Sequence, residues 1–381
     1  MNNEIIAIPH FSDPCHFPHI ARFASTLKDV KKNAWAIGYR GAFTSTNLHN
    51  DVFFRVDTFS IPPFLNRGPL CFAWFMLKVF LILLKKKPSL LHPIDAPALL
   101  PCCIHAIMRK IPLVYFSLED IPHMTTLNNR PVAKWIWTNI ERFGIRRALK
   151  VAVVAEIDAR SFKKRYPFIP EPFVVRNVPE LRPLRSKKEL ILRKRFQWTE
   201  REFVCVYHGV VDKGRGIENV YPFIKSNPSS RLAVAGYGPE LDTLKAESEA
   251  MGITAQIGWF GPYHYDDLPL LLQDADIGIA LFNNISPGIY QALPCKLFEY
   301  IHAGIPVVAS NFPEMKKYIN TSGVGVTVDS GNNAAIYEVL SCIMNNRDSY
   351  KNYKNACLRE RTKTNWQQES EIYRRFVSLG D

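Results

Sequence analysis

The sequence predicts an α/β protein built from two doubly wound, parallel-sheet domains. Three observations predict it. Short apolar runs alternate with helix-like segments along all 381 residues, as βαβ units require. The alternation breaks once, at the Pro-rich and then basic stretch NVPELRPLRSKKELILRKRFQW, and restarts behind it. The length also suits two cores better than one.

Taken in order, EIIAIPHF reads as a strand, HIARFASTLKDV as a helix and NAWAIGYR as a second strand. SLLHPI, a helix through Ile107, the strand PLVYFSL, a long helical stretch around VAKWIWTNIERFGIRRAL and the strand KVAVVA follow. Beyond the break, EFVCVYHG, RLAVAG, TAQIGWFG, DIGIALF, PVVAS and GVTV are strands, each with a helix after it. The expected boundaries are an N-terminal domain over 1–180, a basic linker over 181–200 and a second domain over 201–350. Helices over 351–381 are expected to pack back towards the first domain. Two such domains leave a cleft, and ligands of α/β folds bind at the carboxyl ends of the strands.

The net charge is +13. Residues 1–178 hold 24 Lys and Arg against 12 Asp and Glu, 179–200 hold 7 against 3, and 201–381 hold 17 against 20. The basic surface thus belongs to the front half and the linker, and it favours a polyanion: anionic lipid, nucleic acid or a phosphorylated substrate. No aromatic platform or recognition motif accompanies it, so nucleic acid is not expected as a partner. The eight cysteines show no CxxC and no zinc spacing, which fits buried thiols in a reducing compartment, and no bound metal is expected. The opening MNNEIIAIPHF lacks the basic n-region of a signal peptide. LCFAWFMLKVFLILL, Leu70 to Leu84, is too short for a span and carries Lys78. It reads as a buried helix or, with Lys85, Lys86 and Lys87 at its end, as a helix lying in an anionic membrane interface. Arg142, Arg146 and Lys150 recur at four-residue spacing and are expected on one helix face.

The second half carries the informative loops. After CVYHG comes VVDKGRGIENV, where Gly209, Gly214 and Gly216 permit tight turns and Lys213 and Arg215 flank a helix start. Amide groups at a helix N-terminus beside a guanidinium make an anion site. AGYGPEL adds Gly236 and Gly238. FNNISPGIYQALP then runs into a helix with Lys296 in its first turn and Glu299 one turn on, among Leu297, Phe298 and Tyr300. A diphosphate at that helix start and a ribose beside Glu299 would satisfy both side chains. A simple Lys–Glu pair at helix spacing is the plainer reading.

LPCKLFEYIHAGIPVVAS, HGVVDKGRGIENV, LAVAGYGPEL and LLQDADIGIALF together resemble the C-terminal domain of the group 1 glycosyltransferases, the retaining, nucleotide-sugar-dependent enzymes of glycosyltransferase family 4. KPSLLHPIDAPAL, IPLVYFSLED, IERFGIRRALKVAVVA and FVVRNVPE have counterparts in the first half, in the same order. The resemblance implies the GT-B fold, with two Rossmann-like domains facing across a cleft. It implies that Glu299 matches the second glutamate of the family's E-x7-E motif, which holds the donor ribose, and that Arg215 meets the donor phosphates. Gly209 matches the glycine of the first loop, Gly261 to Tyr263 the loop that meets the base, and His92 and Asp95 the H-x-x-D strand end that faces the sugar.

Three positions and one loop depart from the family pattern. Gln291 stands for the first glutamate, Val210 for a frequent arginine and Leu118 for a frequent histidine, and HFSDPCHFPH lacks the usual glycine pair. The resulting expectation is a retaining hexosyltransferase-like enzyme in bacterial surface polysaccharide biosynthesis (O-antigen or other lipopolysaccharide, capsule or exopolysaccharide). It would be cytoplasmic and peripheral at the inner face of the plasma membrane. Arg215, Lys296, Asp95 and Gln291 are expected to act in catalysis. Gly209, Lys213, Arg215, Gly236, Gly238, Gly261, Tyr263, Gln291, Ala292, Leu293, Lys296, Leu297 and Glu299 are expected around the donor, and Ser12, Asp13, His16, His92 and Glu119 around a glycan or lipid-linked acceptor. No cofactor is expected. A UDP-sugar is the first expectation as co-substrate and a GDP-sugar the second. The alternatives are a non-catalytic GT-B subunit that binds glycan or recruits a transferase, and an inverting enzyme with His10 or His16 as base.

Overall fold

The computed structural model describes residues 4–14, 17–40, 54–65, 68–185 and 189–379. It comprises two compact units, Met1–Asn177 with Trp366–Asp381, and Val178–Asn365. His16 lies outside the described residues.

In the first unit β1 (Ile5–Pro9), β2 (Asn33–Tyr39), β3 (Phe54–Phe59) and β4 (Leu90–Leu91) form a parallel sheet in the order β3-β2-β1-β4. β5 (Val114–Phe116), β6 (Lys150–Val153) and β7 (Phe173–Val174) form a second, in the order β5-β6-β7. Parallel bridges Leu91–Leu113 and Ile94–Phe116 join the two. Helices cover both faces, so Ile6, Ala7 and Ile8 are all buried and the strand reads as a continuous apolar run. β3 and β7 escape the apolar pattern: β3 (FRVDTF) is polar and half-buried, and β7 is two residues long.

Helix Pro69–Leu84 buries Cys71, Phe75, Val79 and Leu83, one residue per turn, and exposes Leu70, Leu77 and Leu81. Among the described residues no helix is long and apolar enough to cross a membrane. Lys150 is not on a helix with Arg142 and Arg146. Helix Pro131–Ile145 has ended by then, and Lys150 opens β6, its Nζ donating to the carbonyls of Arg375 and Ser378 at 2.8 and 3.0 Å.

The chain end also differs from expectation. Helix Arg347–Lys363 belongs to the second unit, where Cys357 Sγ donates to the Ile305 carbonyl. Only helix Trp366–Val377 joins the first unit. It buries Trp366, Tyr373 and Phe376, and Trp366 Nε1 donates to Thr26 Oγ1 at 3.0 Å.

The second unit holds one six-stranded parallel sheet: β8 (Phe203–His208), β9 (Ser230–Ala235), β10 (Ile257–Gly261), β11 (Ile277–Ala280), β12 (Val307–Ser310) and β13 (Gly325–Val328), in the order β10-β9-β8-β11-β12-β13. The order reverses between β8 and β11, and that switch point is where doubly wound sheets bind ligands. The expected linker is not a separate segment: residues from 178 onward belong to this unit. Its helix Ile191–Phe196 is anchored by Arg193, buried between Asp274 Oδ1 at 2.7 Å and Asp276 Oδ2 at 2.9 Å. Arg193→Met would leave both carboxylates without their cation. We expect a loss of about 3–5 kcal/mol, read as a lower urea midpoint. An unchanged midpoint would show that Arg193 does not anchor the segment.

Candidate functional site

The helix Cys295–Ala303 organises the second unit's site. Pro294 precedes its first turn, and Gly304 ends it at φ 75°. Leu297, Phe298, Tyr300 and Ile301 are driven into the core, while Glu299 remains partly accessible. Tyr300 Oη stands 3.2 Å from the Val206 carbonyl and 3.1 Å from that of Ile279, which ties the helix to β8 and β11. Gly278 makes room for that ring, since a Cβ there would come 2.2 Å from it.

The loops after β8, β9 and β10 stack on one another by backbone contact. Gly209 N donates to the Ala235 carbonyl and Gly236 N to that of Gly261, both at 2.9 Å. Gly236 has φ 151°, and a Cβ on it would lie 1.9 Å from the Gly209 oxygen. No other residue fits that approach. Lys213, Arg215 and Gly238 sit in the same tier, and Gln291, Ala292 and Leu293 lead into the helix. The expected donor residues therefore share the carboxyl edge of one sheet. Leu297 is the correction. Its side chain is fully buried in the core and cannot touch a ligand.

Lys296 is buried, with Nζ 3.7 Å from the Tyr207 ring centroid and 5.1 Å from that of Phe282. The Arg215 guanidinium carbon is 5.5 Å from the same Phe282 centroid. Burial, then the Arg215 charge, lowers the Lys296 pKa to about 7. Glu299 Oε2 lies 3.3 Å from His208 Nε2, and His208 Nδ1 lies 3.1 Å from the Tyr263 hydroxyl. The plain Lys296–Glu299 ion pair does not occur among the described contacts. His208 and Phe282 escaped sequence reasoning. The one signal for His208 is a polar residue closing a buried strand directly before Gly209.

In the first unit the carboxyl ends of β1, β4 and β5 meet at Asp95, held at φ 59°. Its Oδ1 accepts from Leu118 N at 2.8 Å and Glu119 N at 3.3 Å, and its Oδ2 is 3.5 Å from His10 Nε2. His10 Nδ1 is 2.6 Å from Ser12 Oγ. Ser12 and Asp13 are buried, whereas Glu119 is exposed. His92 corrects the H-x-x-D expectation. It is fully buried among Phe23, Phe116, Tyr373 and Phe376, neither ring nitrogen has a hydrogen-bond partner, and burial lowers its pKa to about 3. It packs in the core and does not reach an acceptor.

The fold is GT-B. It superposes on Anabaena Alr3699/HepE in complex with UDP with a TM-score of 0.74 at 17% identity, covering 98% of this chain and 99% of that one. Residues 189–359 match the family Glycosyl transferases group 1. Over 161 residues it is 26% identical to a GDP-mannose-dependent alpha-(1-6)-phosphatidylinositol monomannoside mannosyltransferase of Mycobacterium tuberculosis, covering 41% of this chain and 42% of the relative. Over 316 residues it is 23% identical to the chitobiosyldiphosphodolichol beta-mannosyltransferase of Kluyveromyces lactis, covering 80% of this chain and 64% of the relative. The matched stretches thus span less than two thirds of either relative.

The position of Lys296 makes a pH prediction. A diphosphate arriving beside it favours the ammonium form, so above pH 7 binding must take up a proton. UDP affinity, measured by calorimetry, is expected to fall between pH 7.5 and 9, by at most about tenfold per unit. Arg215, Glu299, Tyr207 and Cys295 also face this group. The Cys295 thiol is exposed, so the series is run in Cys295→Ser. Adding Lys296→Met should flatten it. An equal slope in both proteins would remove Lys296 from the binding event.

Proposed function

We propose that the chain is a retaining glycosyltransferase that moves a sugar, most simply a hexosyl group, from a nucleoside-diphosphate sugar to a glycan or lipid-linked acceptor. One observation carries this reading. Lys296 and Arg215 converge on the Phe282 ring, and among the described residues neither forms an ion pair. Two cations at one aromatic wall repel each other until an anion joins them. A diphosphate supplies that anion, and it gains charge when the anomeric bond opens, so the pair acts most strongly on the departing group. The first-turn amides of helix Cys295–Ala303 add donors at the same place. Glu299 takes the ribose and Tyr263 the base side. In the retaining course the leaving phosphate accepts the acceptor's proton, so no side-chain base is needed. The UDP in the HepE complex supports a UDP-sugar, and the GDP-mannose dependence in the mycobacterial relative's name makes a GDP-sugar its competitor.

A second reading, inversion, is favoured by the Asp95–His10–Ser12 chain, in which a carboxylate orients an imidazole beside a hydroxyl. Nucleotide-sugar turnover followed by product NMR separates the two. Retention is expected, with Arg215→Ala lowering kcat on the order of 10²-fold at saturating donor and Glu299→Ala weakening nucleotide binding by about 1.5–3 kcal/mol. Inversion, with activity lost in His10→Gln, would replace the retaining course. Full activity in Arg215→Ala and Lys296→Met would overturn the leaving-group assignment.

We place the acceptor at a membrane, as in assembly of a bacterial surface polysaccharide, with the protein peripheral on the cytoplasmic leaflet. Both relatives' names describe lipid-borne acceptors. Helices Pro69–Leu84, Asp95–Arg109 and Pro131–Ile145 pack side by side and expose Leu77, Leu81, Ile107, Met108, Trp135 and Ile136. Lys85, Lys87, Lys134 and Arg142 are exposed on or beside the same helices. Apolar contact with a basic rim suits an anionic bilayer, at roughly 1 kcal/mol per basic residue. The protein should sediment with anionic vesicles at low salt, less with neutral ones, and less again after Trp135→Glu with Leu81→Glu. Recovery in the supernatant with anionic vesicles at low salt would remove the membrane from the proposal.

A further inference from the structure

His208 closes β8 and is buried with only 3% of its surface exposed. It lies between two residues that come from opposite sides of the site. Its Nδ1 is 3.1 Å from the Tyr263 hydroxyl, on the loop after β10, and its Nε2 is 3.3 Å from Glu299 Oε2, on the helix after β11. The Tyr300 ring meets it edge-on at 5.0 Å and leaves it little room to turn. The contact with Glu299 stands off the hydrogen-bond line, so Nε2 is a buried polar atom that faces the carboxylate, and the Lys296 backbone also lies beside the ring. The terminal torsion of a glutamate is soft, and a small rotation aligns the two.

Burial, with the Lys296 charge beside it, holds His208 neutral. A neutral imidazole has one donor and one acceptor, and an ionised carboxylate only accepts. The proton therefore sits on Nε2 and points at Glu299, while Nδ1 accepts from Tyr263. Such an imidazole orients the carboxylate without cancelling its charge.

We propose that His208 is a positioning residue for Glu299. Together with Tyr263 it fixes the carboxylate plane so that the remaining oxygen capacity is presented to the ribose diol of a nucleoside diphosphate. It thereby couples the loop on the base side to the helix on the ribose side. This rests on the reading of Glu299 as the ribose ligand given above.

The test compares binding of UDP with that of 2′,3′-dideoxy-UDP by calorimetry, or of GDP with its dideoxy analogue if GDP is the nucleotide that binds. A diol held by a charged acceptor should favour the intact nucleotide by about tenfold or more in the wild type. Glu299→Ala should abolish that preference. His208→Leu should cut it at least about fivefold while leaving the dideoxy analogue's affinity unchanged, and His208→Gln, whose amide supplies one donor, should restore part of it. A general packing defect would weaken both nucleotides alike and leave their ratio intact. If His208→Leu does not fold, Tyr263→Phe serves instead and should lower the preference at least threefold. A full preference in His208→Leu, or in Tyr263→Phe where that variant is needed, overturns the proposal while Glu299→Ala still lacks the preference. A full preference in Glu299→Ala instead overturns the ribose reading on which it stands.

Discussion

The second unit's site depends on how helix Cys295–Ala303 is held against the sheet. Tyr300 sits at its middle, flat over Gly278, with its hydroxyl between the carbonyls of Val206 and Ile279. Those carbonyls belong to β8 and β11, the two strands at which the sheet order reverses. The helix can neither roll nor slide without losing that contact and the packing of Leu297 and Ile301. Lys296 and Glu299 inherit their positions from it. A cation is held beneath two aromatic rings and a carboxylate against an imidazole, on a framework too closely packed to relax around them.

The chain treats its buried charges in two ways. Two that serve the fold are satisfied. Arg193 is enclosed by Asp274 and Asp276. Glu141, fully buried, accepts from the hydroxyls of Tyr115 and Tyr166 at 3.0 and 2.7 Å, and burial raises its pKa to about 7. At the carboxyl edge of the second sheet the rule is suspended. Lys296 has aromatic faces in place of a carboxylate partner, and the strongest charge acting on it is the like charge of Arg215. That cost, beside the satisfied charges of Arg193 and Glu141, marks the place where a ligand completes the electrostatics.

The strands were legible because parallel strands covered on both faces are continuous apolar runs, and most named runs fold as strands. β3 failed because it is polar and half-buried. Lys150 was placed wrongly because a four-residue repeat was carried past Ile145, where the helix had already ended. His92 was misplaced for a different reason. A strand-end motif records which residues leave the sheet together and says nothing of which way each side chain turns. Asp95 turned to the loop and its amides, and His92 turned into a cluster of four aromatic rings.

By itself the sequence determined the α/β alternation, the glycines of the second half's loops, and the presence of a lysine and a glutamate at the front of one helix. These are local properties, set by periodicity, turn chemistry and residue type. Only the tertiary structure decided what those side chains meet. Lys296 and Glu299 do not pair with each other. Lys296 meets Tyr207 and Phe282, and Glu299 meets His208. Tyr207 and His208 lie about ninety positions away along the chain. Contacts of that separation are fixed by strand order and helix packing, which place β8 beside β11 and press one helix across both. No window of sequence contains that information.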